Sequence, residues 1–394
     1  MTESIRDAAR PFSGGALTAL LSPAIRLLGL GEPTHGVEAF PELRNELFRH
    51  LAEHEGYRSI TIESDCLAAL VADAYVNDGT GTLDDVMSRG FSHGFGASSA
   101  NRELLSWMRA YNEPRAPHER LHFYGFDGPL ETAGPAGPRP ALTALHDYLA
   151  GHVDLPWSRE ALDELLGPDE RWTDPAALMD PTQSIGRSPE AKELRLIAGD
   201  LRVLLTAHTP HLIAATSADD WWRADLHART AAGLLRYHAG MADTSPTRIG
   251  DLISLRAAIM ADNLDAILRR EARRGPALAF AHNAHLQRDM SHMRFAGQPR
   301  QWWSAGAIIS THLGDQYAFA ATTFGARGSD IPPPDTLEGL LSALPHPRAV
   351  LDPVRLADTL HQKPARRVPA DHTYFSLDPD TIGRTDAIVF VQEI

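Results

Sequence analysis

Arg26-Leu27-Leu28-Gly29-Leu30-Gly31-Glu32-Pro33-Thr34-His35-Gly36 is the stretch whose reading decides the fold. An apolar run of strand length ends in a glycine, an acid, a proline and a histidine, and helical sequence follows. The same grammar recurs further along. Residues 58–62 lead into Glu63-Ser64-Asp65, 121–126 into Asp127-Gly128, and 276–281 into His282-Asn283-Ala284-His285. Between the runs the period changes. Over 42–54, Leu43, Leu47 and Leu51 fall on one helical stripe, and Arg44 shares a neighbouring stripe with Phe48. That spacing would turn Arg44 toward the edge carrying the preceding loop. Helices are also predicted over 66–77 and over 102–111, with Leu104, Leu105 and Met108 inward. Strands alternating with helices predict an α/β fold, a mostly parallel central sheet flanked by helices. Additional C-terminal strands at 317–324 and 387–392 complete it. Parallel strands present their carboxyl ends on one edge, where ligands bind. The acids and histidines after the apolar runs are therefore expected to converge.

The composition changes at Gly128-Pro129. Gly134-Pro135-Ala136-Gly137-Pro138-Arg139-Pro140 is expected to be a linker, neither helix nor strand. From there to about residue 251 the sequence is helical, most clearly over 191–207 and 219–237. The organisation expected is an α/β catalytic core over 1–130 and 252–394, interrupted by a helical insertion over 131–251 that is a candidate lid. Trp221 and Trp222 lie in the insertion. They are either helix–helix packing or an apolar wall for a bulky substrate. A helix over 252–269 places Arg256, Met260 and Asn263 on one face.

The chain has 394 residues, 43% of them hydrophobic, enough for a full core. With 37 basic and 51 acidic residues the net charge is -14, which disfavours nucleic acid and acidic membrane surfaces as partners. The one cysteine, Cys66, cannot form an internal disulfide, so nothing demands an oxidising compartment. The first residues carry no secretory signal pattern, and no apolar stretch is long enough to span a bilayer. These features predict a soluble cytoplasmic protein acting on a small molecule.

Glu32 and His35 are the sharpest pair. A plain strand-to-helix loop accounts for Gly31 and Gly36, and for Thr34 as a helix cap. It does not account for an acid and an imidazole three residues apart at a strand mouth. A carboxylate fixes a histidine's tautomer and raises its basicity, as water activation requires. His282 and His285 could bind metal, stabilise an oxyanion or hold a leaving group, with the Asn283 amide orienting either ring. Glu63 is the stronger of the remaining acids, because Ser64 and Asp65 are better placed to cap the next helix. Asp127 with Gly128 also fits turn chemistry. Arg44 and Arg256 would pair with these acids or with a substrate carbonyl; for Arg256 a structural ion pair is the ordinary fate. There is no G-x-S-x-G elbow and no phosphate loop. The string His118-Glu119-Arg120-Leu121-His122 imitates a zinc-protease motif but runs into a strand instead of lying on a helix.

Taken together, Gly31-Glu32-Pro33-Thr34-His35-Gly36, Arg44, Glu63, Gly125-Phe126-Asp127, Arg256 with Met260-Ala261-Asp262-Asn263, and His282-Asn283-Ala284-His285 resemble the erythromycin esterase family, from about residue 27 to residue 325. The resemblance implies an α/β core with helical additions. It implies hydrolysis of macrolide lactone esters by a histidine general base, with no serine nucleophile and no cofactor. His35 would be that base and Glu32 its partner. Arg44, Glu63, His282 and His285 would shape the site and stabilise the tetrahedral intermediate. From the reading of the residues themselves, and not from the resemblance, Asp127, Arg256, Asn283, Trp221 and Trp222 are the expected substrate contacts. The stretch 298–305, with Trp302 and Trp303, departs from the family pattern. Three rivals stand beside this reading. The first is a metal-dependent hydrolase using Glu32, His35, Glu63, His282 and His285. The second is a non-hydrolytic acid/base enzyme of natural-product biosynthesis, and the third a binding protein with a vestigial pocket.

Overall fold

Near-continuous apolar runs put buried side chains on both faces of a strand, and this chain supplies helices for each face. The computed structural model describes residues 2–131, 134–295, 297–360, 363–368 and 373–394, the side chains of 2–4 aside. Its main sheet has strands β1 (Ala9–Pro11), β2 (Leu27–Glu32), β3 (Ser59–Asp65), β4 (His122–Asp127), β5 (Ala277–His282), β6 (Tyr317–Ala326), β7 (Arg348–Leu351) and β8 (Ala387–Glu393). Their spatial order is β1-β7-β8-β6-β2-β5-β3-β4. Only β7 runs against the others. The mostly parallel α/β architecture expected from the sequence is therefore the one found.

The helices α1 (Ala39–His54), α2 (Ala69–Asp78) and α3 (Ser99–Asn112) cover one face. There Leu28, Leu30, Ile60, Ile62, Leu278 and Phe280 meet Leu43, Leu47 and Leu104. The segment expected as an insertion contributes α4 (Arg139–Ala150), α5 (Pro189–Ala207) and α6 (Ala218–Met241). It is followed by α7 (Arg248–Glu271) and α8 (Ala305–Leu313). The second face takes the alternate strand positions. Leu27, Phe126, Ala277, Ala279 and Ala281 pack against Met260 and Leu264 of α7 and Ile309 of α8. The alanines of β5 let these helices lie close.

The helices α4, α5 and α6 share a core of their own around Leu142, Leu145, Leu194, Leu201 and Leu235. Residues 134–140 are not the structureless linker expected. Gly134–Pro135 pairs with Leu130–Glu131, and α4 starts at Arg139. Pro140 sits in the first helical turn, where its missing N–H is not needed. No helix among the described residues is long and apolar enough to cross a membrane.

The strand ends are what position the site. β2, β5, β3 and β4 are consecutive neighbours in the sheet. Glu32, His282 and Asp127 are the final residues of β2, β5 and β4. Glu63 lies near the end of β3, where the register with β4 shifts between Ile62 and Asp65. That irregularity re-aims the strand's last side chains. It lies over Gly125, where a Cβ would come within 2.4 Å of the Ser64 carbonyl oxygen. The chain runs from β2 to β3 and β4 on one side of β2 and only later, from β5, crosses to β6 and β8 on the other; in open α/β sheets the crevice for a ligand lies at such a switch point.

Candidate active site

The Gly31–Gly36 loop returns His35 onto its own strand. His35 Nδ1 lies 2.6 Å from Glu32 Oε1. A carboxylate only accepts, so Nδ1 carries hydrogen and Nε2 is left for chemistry. Nε2 stands 3.7 Å from Glu63 Oε1, and the side chain keeps 39% of its surface open. Thr34 does not cap α1; its hydroxyl bonds Thr373 at 2.9 Å and α1 begins without a side-chain cap. Asp65 does not cap α2, which also begins without a side-chain cap; it accepts from the N–H groups of Leu67 and Ala68 in the turn before that helix.

Glu63 is the hub. Its Oε1 accepts from Arg256 Nη2 at 3.0 Å and faces His285 Nε2 at 3.2 Å, and its Oε2 accepts the His282 N–H at 2.9 Å. Burial opposes its charge, but His285, His35 and Arg256 together hold its carboxyl well below the ordinary carboxylate range. Asp127, fully buried, meets Arg256 Nε and Nη2 at 3.0 and 2.6 Å. Burial raises the Asp127 carboxyl, and the Arg256 charge with a bond from His93 more than reverses that. Arg256 is thus the structural ion pair foreseen for it, while 26% of its side chain stays exposed.

The remaining imidazoles are committed. His282 Nε2 donates to the Thr373 carbonyl at 3.1 Å, and its Nδ1 accepts the Ala284 N–H at 3.3 Å. Burial, reinforced by the charge of His35, pushes this ring down to about 3, so it is neutral. His285 spends Nε2 on Glu63, and its Nδ1 is buried with no hydrogen-bond partner among the described residues. For His35 burial lowers basicity, but the carboxylates of Glu63 and Glu32 win and lift it to about 9.

Other expected residues lie apart. Arg44 is buried in α1, where Nη1 and Nη2 donate to Asn101 and Asn45 at 2.8 and 2.7 Å, over the Phe280 ring. Its charge is felt by Glu32, but its guanidinium does not reach the crevice. Asn283 orients no imidazole. Fully buried, it donates to the Thr322 carbonyl at 2.8 Å and fastens the turn after β5 onto β6. Trp222 packs on Tyr124 at 5.6 Å with Arg270 stacked over it, and the Trp221 indole reaches the Leu205 carbonyl. Neither touches the strand-end cluster among the described contacts. His118 and His122 form no zinc motif: a short turn, Pro117–Glu119, precedes β4, and His122 is held by Asp73 at 2.9 Å.

Sequence reasoning missed His93. It lies on the loop before α3, with Nε2 3.1 Å from Asp127 Oδ2 and its ring 5.8 Å from Phe95. Phe95 in turn flanks His35 at 5.5 Å. Also unforeseen was the hairpin Met290–Phe295 with Gln298–Trp303, which brings Trp302 to 6.5 Å from His285. Among the described residues no group of three or more His, Cys, Asp or Glu is arranged to hold a metal ion. Both oxygens of Glu63 are already engaged.

Comparison with known proteins agrees with this architecture. The family model described as Erythromycin esterase matches residues 52–394, beginning downstream of Glu32, His35 and Arg44. An erythromycin esterase type II from Escherichia coli is 25% identical over 271 residues, covering 67% of this chain and 61% of that protein. The chain therefore spans less than two thirds of that curated relative's length. Among solved structures, a Bacillus cereus protein superposes with TM-score 0.72 at 16% identity, covering 100% of this chain and 96% of the other. A succinoglycan biosynthesis protein gives the same values, 0.72 and 16%, over 100% and 96% of the two chains. An erythromycin esterase mutant in its open conformation gives 0.67 at 19%, covering 96% and 92%. At these identities the structural likenesses speak for the fold. On the family match, the chain belongs to the erythromycin esterase family.

Proposed function

We propose that this protein hydrolyses a carboxylic ester or lactone, of macrolide-like size, through a water activated by His35, with no serine nucleophile and no cofactor. One observation carries the reading. In a crevice where His282 and His285 have their functional nitrogens engaged or buried, His35 alone of these rings is braced at Nδ1 and open at Nε2.

The chemistry follows from that geometry. Neutral His35 takes a proton from water at Nε2 while the water oxygen bonds to the substrate carbonyl carbon. Glu32 steadies the imidazolium that forms. The carbonyl oxygen gains the negative charge, and the partly exposed Arg256 supplies the cation that stabilises it. Collapse of the tetrahedral species expels the alkoxide, which recovers the proton from His35. Acid and alcohol leave, and the base is regenerated.

His35→Asn should lower kcat/KM by about two to four orders of magnitude on any accepted ester. Near-full activity in that variant refutes the role. Turnover in heavy-oxygen water tests the reaction class: hydrolysis puts the label in the product acid, whereas elimination, cyclisation or acyl transfer leaves it unlabelled. Elemental analysis with activity after chelation separates the metal-dependent rival.

A further inference from the structure

The loop over residues 90–98 is fastened to the end of the strand that carries Glu63. The Ser92 N–H donates to Ser64 Oγ at 2.9 Å, and the Asp65 N–H donates to Ser92 Oγ at 2.8 Å. The next residue, His93, has φ 56°, and it is the only non-glycine residue with positive φ among those described. Histidine visits that region more readily than most residues, yet the conformation still costs energy and persists only where surroundings enforce it. Here they do. The His93 N–H donates to the Glu131 carboxylate at 3.0 Å. Its ring places Nε2 3.1 Å from Asp127 and Nδ1 3.4 Å from Glu131, with 16% of the side chain exposed.

Asp127 explains why the ring is held so. Its Oδ1 accepts the Gly128 N–H at 2.8 Å, its Oδ2 meets Arg256 Nη2 at 2.6 Å and His93 Nε2 at 3.1 Å, and Arg256 Nε is shared between the two, 3.2 Å from Oδ1 and 3.0 Å from Oδ2. A carboxylate offers about four lone-pair directions, and these contacts fill them. Glu63 holds Arg256 Nη2 and the Gly128 N–H holds Asp127 Oδ1. His93 adds a further hold on the same carboxylate, at Oδ2 and from another element.

We propose that His93 is a positioning residue: it locks Asp127, and Asp127 aims Arg256 at the reacting carbonyl. The inference rests on the hydrolase reading above and adds a residue that none of the strand-end motifs contains. Its strained backbone is then part of the site's construction, set on a loop anchored to the strand bearing Glu63.

The test is His93→Gly, which keeps the left-handed backbone without strain and leaves a ring-shaped hole. The expected result is a loss of about a hundred-fold in kcat with KM nearly unchanged, an unchanged melting temperature, and partial recovery on adding imidazole to the buffer. His93→Asn, which also tolerates positive φ but is too short to fill the hole, should lose kcat and show no rescue. Unchanged kcat overturns the proposal, as does a loss that follows melting temperature and ignores imidazole. If the wild-type protein turns over no ester, the hydrolase reading fails, and His93 is judged by NMR. The charge of Arg256 acts on His35. The midpoint of the His35 ring signal should therefore move by about half a pH unit or more in His93→Gly and return with imidazole. A midpoint that stays in place overturns the positioning role.

Discussion

His35 and His282 carry the same ring in one cluster, 5.2 Å apart, and sit in opposite charge states. Burial works against the cation in both. For His282 burial and the charge of His35 outweigh the pull of Glu63, and the ring is held at about 3. For His35 burial is outweighed by Glu63 and Glu32, and the ring rises to about 9. The sign of the pH dependence follows. Below the midpoint His35 is protonated and cannot accept from water, so kcat/KM should climb with pH by about tenfold per unit and level off near 9. Glu32→Gln removes one of the raising charges, so its inflection should fall toward the ordinary histidine value. A pH–rate profile flat from neutrality to alkaline values would contradict the assignment. At this scale the sequence disclosed which side chains gather at the strand ends better than where each one points. Glu32, His35, Glu63, Asp127 and His285 were legible because each follows or ends an apolar run. Arg44 was misplaced because helical spacing gives a stripe and not a partner; Asn45 and Asn101 claim it. His93 was invisible because no strand precedes it and its only local cue is the glycine that follows.

Elements differ in how loudly they announce themselves. The strands β2 to β6 and β8 are apolar runs that the sequence locates within a residue or two at each end, except that β3 continues to Asp65, three residues past its run. β1 and β7 are three and four residues long, and the first contains a proline while the second follows Pro345 and Pro347. Such segments become strands only because a neighbour pairs with them. The loop glycines were read as turn-makers, yet Gly31 serves an approach. A Cβ there would stand 2.1 Å from Asn283 Oδ1, so the bare backbone of β2 is what admits the turn carrying His282 and His285. Gly31→Ala should cost about 1–3 kcal/mol by overpacking and lower activity by displacing that turn. Chemical denaturation compared with wild type checks it; an unchanged midpoint would mean that Asn283 is free to yield.

On the scale of the whole molecule, the mostly parallel sheet was legible from the strand–helix rhythm, but the strand order was not. Nothing local says that β5, late in the chain, enters between β2 and β3, because that choice depends on packing among distant segments. The same order makes β8 an inner strand, flanked by β6 and β7. Removing residues 387–394 should therefore abolish the cooperative fold rather than trim a tail. Circular dichroism and the yield of folded protein measure this, and a truncated protein melting like the parent would refute it. The margin of the sheet has a further consequence. β1 is a three-residue strand paired only with β7, its last position is Pro11, which has no N–H to offer, and Arg10 is exposed. A second molecule seeking to dock edge-on would find almost no free ladder there and a charge in its way, so this border resists the strand-to-strand recruitment that seeds aggregation.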